Sequence, residues 1–342
     1  MRRRVLVTGG AGYVGAHTAF ELVEAGFEPV VIDNLSRSDK SLLEGLQQLT
    51  GNALDFYQGD CADEAFMSEV FGREPSLAGV IHFAAFKSVG ESVKKPILYY
   101  ENNVGSLVNL LGTMRMAGVN NLIFSSSCTV YGEPDQVPVT ETTPFKRAES
   151  PYGASKQMCE RILEDFALSE RGFNAVSLRY FNPIGAHPSS LLGELPIGEP
   201  NNLVPYLTQT AIGKRQKLVI YGGDYETPDG TCIRDFIDIR DLAKGHVCAL
   251  GRLLGGKMKN NYEVFNLGTG RGVSVLTLVR QFIEATGVQV NFEIGPRREG
   301  DVVRTFAEAS KAKKELGWKA ECSLEETLIH AWNWEKRINL KY

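Results

Sequence analysis

The chain has 342 residues, 43% hydrophobic and 23% charged, with a formal net charge of −4. This is globular composition sized for one large domain or two intimate ones, and its acidic balance excludes a broadly basic face for nucleic acid, so phosphate binding must come from a local site. No stretch approaches the roughly 18 apolar residues of a membrane span, and the run after Arg2-Arg3-Arg4 is only Val5-Leu6-Val7, too short for a secretory signal.

Short β-branched runs alternate with helical periodicity from the start of the chain. Strands are predicted at Arg4–Thr8, Pro29–Asp33, Leu54–Gln58, Gly79–Ala84, Asn121–Ser126 and Ala175–Tyr180. Helices are predicted near Val14–Ala25, Glu64–Phe71, Tyr99–Ala117 and Tyr152–Ser169. Near-continuous apolar strands joined by helical crossovers predict an α/β fold, a doubly wound parallel Rossmann sheet. After about residue 182 the texture changes. Residues 183–203 are rich in Pro, Gly and Asn and read as loop. Helices near Val204–Gly213, Ile239–Leu254, Val275–Thr286 and Leu324–Lys336 follow, with strands near Lys217–Tyr221 and Val264–Leu267. The expected division is a dinucleotide-binding domain over 1–182 with a returning segment at about 236–268, and a smaller α/β substrate-binding region made of 183–235 and 269–342. Cys61, Cys128, Cys159, Cys232, Cys248 and Cys322 are scattered, with no C-x-x-C, and the histidines form no H-E-x-x-H. No metal site is expected, and reduced thiols in the cytoplasm are.

Gly9-Gly10-Ala11-Gly12-Tyr13-Val14-Gly15 follows the first strand and opens the first helix. Glycine lets the backbone turn tightly and approach a pyrophosphate, whose charge the helix N-terminus favours. Asp33 ends the second strand, where a carboxylate accepts bonds from the adenosine ribose and repels a 2′-phosphate, so NAD is the expected cofactor. Arg37 lies close enough to weaken that preference slightly. Asp60, in Gly59-Asp60-Cys61, is placed to bond the adenine amino group, and the small residues of Phe83-Ala84-Ala85 let a cofactor lie close at the sheet edge.

Tyr152-Gly153-Ala154-Ser155-Lys156 puts a phenol and an ammonium at i and i+4 on one helix face. A nearby positive charge favours the phenolate, so Lys156 is expected to lower the pKa of Tyr152 and make it a base for a substrate hydroxyl while a nicotinamide takes the hydride. Ser127 closes Ser125-Ser126-Ser127 at the end of the fifth strand, placed to hydrogen-bond the reacting oxygen.

These segments carry a resemblance over nearly the whole chain, from about Val5 to Trp334. The chain resembles the extended short-chain dehydrogenase/reductase family and, within it, the UDP-hexose 4-epimerases. The matching runs are Val7–Gly15, His82–Ala84 through Lys87 to Glu91-Ser92, Ser125–Gly132, Ser150–Lys156, Arg179–Gly185, Pro200–Leu203 and Arg297–Asp301. The resemblance implies reversible oxidation at sugar C4 with tightly held NAD, rotation of the 4-keto sugar while its UDP stays anchored, and hydride return to the other face. UDP-glucose and UDP-galactose are the implied substrates. As cofactor contacts it implies Gly9, Gly12, Tyr13, Val14, Gly15, Asp33, Asn34, Asp60, Cys61, Phe83, Ala84, Ala85, Lys87, Asn102, Ser125, Tyr152, Lys156 and Phe181.

For the UDP-sugar, arginine forks suit a diphosphate, and Arg234 and Arg298 match. Asn182, Asn202 and Leu203 match nucleotide-sugar contacts; Asp301 suits the uridine ribose, Tyr221 the uracil, Ser127 the sugar, and Lys87 and Tyr152 face both ligands. Thr305 departs from the bulky Tyr of comparable bacterial epimerases, and the smaller side chain implies room for a 2-acetamido group, hence UDP-GlcNAc and UDP-GalNAc. The resemblance also implies a homodimer through the helices around Tyr99–Ala117 and Tyr152–Ser169; their Leu107, Leu110, Leu111 and Met114 serve either that interface or the sheet. Three rivals remain in view. A nucleotide-sugar 4,6-dehydratase needs an acid and a base after Ser127, where this chain has Cys128 and Thr129. A UDP-uronate or UDP-pentose 4-epimerase differs in pocket residues rather than motifs. A catalytically silent NAD-binding regulator would tend to lose the Tyr-Lys pair present here.

Overall fold

The computed structural model describes residues 3–298 and 300–340, so Arg2 and Glu299 of the Arg297–Asp301 run lie outside the described residues. In chain order the first part comprises β1 (Arg4–Thr8), α1 (Tyr13–Glu24), β2 (Glu28–Asp33), α2 (Ser41–Thr50), β3 (Asp55–Gln58), α3 (Glu64–Arg73) and β4 (Leu77–His82). It continues with α4 (Val89–Lys94), α5 (Pro96–Tyr100), a π turn over Glu101–Gly105, α6 (Ser106–Ala117), β5 (Asn121–Ser127), α7 (Pro151–Ser169) and β6 (Asn174–Tyr180). The remainder holds β7 (Asn182–Ile184), α8 (Leu203–Ala211), β8 (Leu218–Tyr221), β9 (Ile233–Arg234), β10 (Phe236–Asp238), α9 (Ile239–Leu254) and β11 (Tyr262–Leu267). It closes with β12 (Val273–Ser274), α10 (Val275–Thr286), β13 (Phe292–Gly295), β14 (Arg304–Thr305), α11 (Ser310–Glu315) and α12 (Leu324–Asn339).

Seven strands form one parallel sheet in the order β11-β6-β5-β4-β1-β2-β3. The order reverses between β1 and β4, which opens a crevice at the carboxyl ends of the strands, where ligands of such sheets bind. Both faces are covered. Leu6, Val30, Ile32, Val80, Leu122 and Phe124 pack under residues of α3, α6 and α7. Val5, Val7, Ile81, Ile123, Val176 and Leu178 pack against residues of α1 and α9 on the other face. A separate apolar cluster joins α8, α10 and α12 to β8 and β13.

The helix predicted over Tyr99–Ala117 is interrupted. The π turn carries Asn103, whose side chain accepts from Phe86 N (2.8 Å) and donates to Phe86 O (3.0 Å), so the extra residue locks the loop after β4. Leu107, Leu110, Leu111 and Met114 are all buried against the sheet, so they are core rather than surface. The same helices expose Ile97 (65%), Val108 (52%) and Met158 (47%) instead. No helix among the described residues is long and apolar enough to cross a membrane.

Candidate active site

The glycine turn is built for close approach. Gly9 has φ +69°, a left-handed conformation that L side chains rarely adopt, and a Cβ there would lie 2.8 Å from Ala84 N. A Cβ on Gly15 would lie 2.3 Å from Gly9 O. The N-cap of α1 is Gly12, with no side-chain cap, so the first-turn amides at Tyr13 and Val14 face the crevice without a capping side chain. That is the cradle a pyrophosphate requires, and the residues present fit a dinucleotide. Tyr13 contributes its backbone there, since its hydroxyl is committed to Gly185 O at 2.7 Å.

Asp33, buried at the end of β2, accepts from Ala11 N (3.1 Å), Leu35 N (2.9 Å) and Ser38 Oγ (2.7 Å). These bonds aim its carboxylate and leave lone pairs for a ribose. Arg37 is engaged elsewhere: its guanidinium forks onto Glu91 at 2.9 Å and lies 4.8 Å from the Phe86 ring centre. It is therefore spoken for and does not offset Asp33. Asn34 donates to Asp60 (2.9 Å), which joins the two adenosine-end residues. Cys61 is buried, its thiol pushed up to about 12 by burial, and belongs to the core beneath. Asn102 donates to Asn103 (2.9 Å) in the π turn. Phe181 is buried among Val130, Tyr131, Val139 and Ala307. Phe83 leans on the His246 ring at 4.7 Å between centroids.

Ser150 caps α7 through Gly153 N, and Pro151 starts the helix, so Tyr152 and Lys156 emerge in its first turns over the ends of β5 and β6. Lys156 Nζ donates to Ser125 O (2.7 Å) and lies 6.0 Å from the Tyr152 ring centre and 4.8 Å from that of Phe124. Burial pushes its ammonium down to about 8, against the opposing pull of Cys159 and Glu160. Tyr152 keeps part of its surface open, yet protein crowds its hydroxyl. Burial pushes the phenol well above its ordinary value, Tyr180 acts the same way, and a hydrogen bond from Ser127 opposes them. The expectation is a phenol made acidic by the Lys156 ammonium together with oxidised nicotinamide; among the protein groups, burial dominates and pushes the phenol up. Ser127 Oγ also accepts from Thr129 N (3.2 Å) and Thr129 Oγ1 (3.0 Å).

The residues expected at the sugar nucleotide gather in two groups. Arg298 pairs with Asp301 (2.7 Å) and lies over the Tyr221 ring at 5.6 Å; Arg234 reaches the same Asp301 at 3.6 Å. Thr305 pairs with Arg234 across β14 and β9, buried, with its hydroxyl unpartnered. The charge of Arg234 reaches Cys128, next to Ser127, which links this group to the Tyr-Lys-Ser trio. Asn182 adjoins it, its amide donating to Asp235 O (2.9 Å) and its Oδ1 buried without a partner. The second group is Lys87 and Asn202, both donating to Glu194 Oε1, at 3.0 and 2.6 Å. Leu203 begins α8 and packs into its apolar cluster.

Two residues here escaped the sequence reading. Glu194 joins Lys87 to Asn202 across 107 and 8 residues of chain, a separation no local pattern reveals. Tyr180, whose hydroxyl bonds Ser125 Oγ, sits beside Tyr152; its only local signal was its place at the carboxyl end of a parallel strand. Among the described residues no group of three or more His, Cys, Asp or Glu side chains is arranged to hold a metal.

A parallel sheet with a glycine turn at its reversal and a Ser-Tyr-Lys trio over its carboxyl edge defines a short-chain dehydrogenase/reductase of the extended kind. Comparison agrees: residues 6–330 match the family model described as GDP-mannose 4,6 dehydratase. A UDP-glucose 4-epimerase of Yersinia pestis is 48% identical over 333 residues, 97% of each chain. One of Dictyostelium discoideum is 49% identical over 97% of this chain and 95% of its own. The crystal structure of the Bifidobacterium longum UDP-glucose 4-epimerase in complex with NAD+ and UDP superposes with TM-score 0.95 at 46% identity, covering 99% of this chain and 100% of that one. The chain belongs to the UDP-glucose 4-epimerase family. The dehydratase of the family model's description is set apart by Cys128, whose thiol burial pushes up to about 12, and by Thr129, tied to Ser127.

Proposed function

We propose that this chain interconverts UDP-glucose and UDP-galactose with NAD held in the crevice between β1 and β4. What supports it is a Tyr152-Lys156-Ser127 trio at the ends of β5 and β6 in the same sheet whose β1 leads into the Gly9–Gly15 cradle, with the charge of Arg234 reaching Cys128 next to Ser127. NAD, when bound, supplies the hydride acceptor at sugar C4 and the donor for its return. Tyr152 takes the O4 proton and gives it back, Ser127 hydrogen-bonds O4, and the Lys156 ammonium stabilises the phenolate. Arg234 and Arg298 clamp the diphosphate, with Lys87 and Asn202 on the opposite side, Asp301 on the ribose and Tyr221 against the uracil. Asn182 and Leu203 line the same space. Holding UDP at one end leaves the 4-keto sugar free to turn over, which is what makes the product an epimer. Asp33 selects NAD, joined by Asn34 and Asp60.

The same reading divides the chain at 1–182 with 236–268 for the cofactor, and 183–235 with 269–342 for the sugar nucleotide. Thr305 leaves room beside the sugar, so UDP-GlcNAc is a second substrate. The exposed Ile97, Val108 and Met158 support a homodimer through α5, α6 and α7, and the protein acts in the cytoplasm. Incubation of the purified protein with UDP-glucose and no added NAD, followed by separation of products, tests the activity: UDP-galactose is expected, and its absence from protein that carries NAD favours a silent regulator.

A further inference from the structure

Behind the Tyr-Lys-Ser trio lies a buried ionic network. Glu160 follows Lys156 by one helical turn and is 3% exposed. Its Oε1 accepts from Ser126 Oγ (2.5 Å) and from Arg179 Nε (2.9 Å), and its Oε2 from Arg179 Nη2 (2.6 Å) and Tyr262 OH (3.3 Å). Arg179, on β6, spends its remaining nitrogen on Tyr131 OH and Glu141 O, both at 3.1 Å. Side chains alternate along a strand. Ser126 therefore points under the body of α7 to Glu160, while its neighbours take the opposite side of the strand, Ser125 bonding Tyr180 and Ser127 bonding Tyr152 in the first turn of the helix. Ser126 ties the body of α7 to β5, as Ser127 ties its first turn.

We propose that Glu160 is a positioning residue for the epimerase reaction: by holding Ser126 and Arg179 it fixes α7 against the ends of β5 and β6, and so sets Tyr152 and Lys156 opposite Ser127. The inference rests on the assignment of that trio made above. A buried guanidinium left without its carboxylate is costly, so Glu160 and Arg179 hold each other in place between α7 and β6. Glu160 has a second effect through charge. Lys156 faces Tyr152, Cys159 and Glu160 from its own helix, Ser125 from β5 and His82 from β4. Glu160 is the carboxylate among them that supports the Lys156 ammonium against burial. His82 is buried and neutral, its pKa pushed down to about 3, chiefly by burial.

Two variants and one control test this in the NAD-loaded enzyme. S126A removes only the tie. It is expected to fold, with a thermal midpoint a few degrees below the parent's because a buried carboxylate loses one donor, to lose about ten-fold in kcat for UDP-glucose, and to keep KM, since misplacement of reacting groups acts on the transition state. E160Q removes the charge. A lost anion disfavours the protonated lysine, so the alkaline limb of kcat/KM moves down by about one pH unit. A purely structural role would lower the folded fraction without moving that limb. Parent-like kcat in S126A, or an unmoved limb in folded E160Q, overturns the proposal; if E160Q does not fold, S126A decides alone. The control is Y152F. If it keeps full turnover, the trio itself is misassigned; if it is inactive while S126A and E160Q behave like the parent, only the role of Glu160 fails.

Discussion

The proposed substrate range turns on one side chain. Thr305 is buried beside Arg234, and under the proposed second activity its small side chain is what leaves room for a 2-acetamido group. Replacing it by Tyr should cut kcat/KM for UDP-GlcNAc by about ten-fold or more while sparing UDP-glucose, because a filled pocket rejects the larger substrate at a cost of a few kcal/mol. Equal losses for the two sugars contradict the assignment. Buried histidines make a different prediction. Burial pushes His246 from 6.5 down to about 4, with its Nδ1 on Leu242 O opposing. The folded protein refuses a proton that the unfolded chain accepts below pH 6.5, so this stability is full above that value and is lost as pH falls toward 4. At pH 5 the loss is about 2 kcal/mol. Denaturant midpoints of His246→Gln should therefore fall less steeply from pH 7 to pH 5 than those of the parent; parallel slopes refute this.

Elements with strong periodicity were legible in the sequence, and those made by distant contacts were not. Every strand of the large sheet was anticipated to within a few residues, because parallel strands buried on both faces read as apolar runs. Helix α2 was missed although Leu42 and Leu46 recur at helical spacing, since Gly45 interrupts the pattern. That glycine answers to tertiary structure: a Cβ there would lie 2.1 Å from Leu191 O. The two- and three-residue strands β7, β9, β10, β12 and β14 have no local signature at all; each exists because its neighbours are brought alongside. The π turn at Glu101–Gly105 was invisible for the same reason, as it serves the Asn103 contact with Phe86. Motif residues such as Tyr152, Lys156 and Asp33 could be named from spacing, whereas Glu160, Tyr180 and Glu194 became meaningful only once β5, β6 and the 183–203 loop were folded together. The β1–α1 turn is where sequence and geometry agree most closely, and Gly15→Ala tests it. The added methyl would meet backbone at Gly9 and Gly10, so the turn must open and retained NAD should be lost, read as the nucleotide released on denaturing the purified protein. Full NAD occupancy in this variant contradicts the cradle.

At the scale of the whole molecule, the sheet supplies a fixed floor and the C-terminal elements a wall that carries Arg234, Arg298 and Asp301. Exposed Val108 and Met158 lie on helices whose other faces form the core, and the proposed homodimer would cover them. Light scattering should give a dimer mass for the parent and a monomer for the double variant V108D/M158D; a monomeric parent at micromolar concentration rejects the interface. In the proposed reaction one phenol moves the sugar's O4 proton while the rest of the fold holds NAD and UDP in place. Its most direct test is turnover of UDP-glucose by Tyr152→Phe protein whose NAD content equals that of the parent. The account predicts a loss of about 100-fold or more in kcat with KM little changed; undiminished formation of UDP-galactose would contradict it.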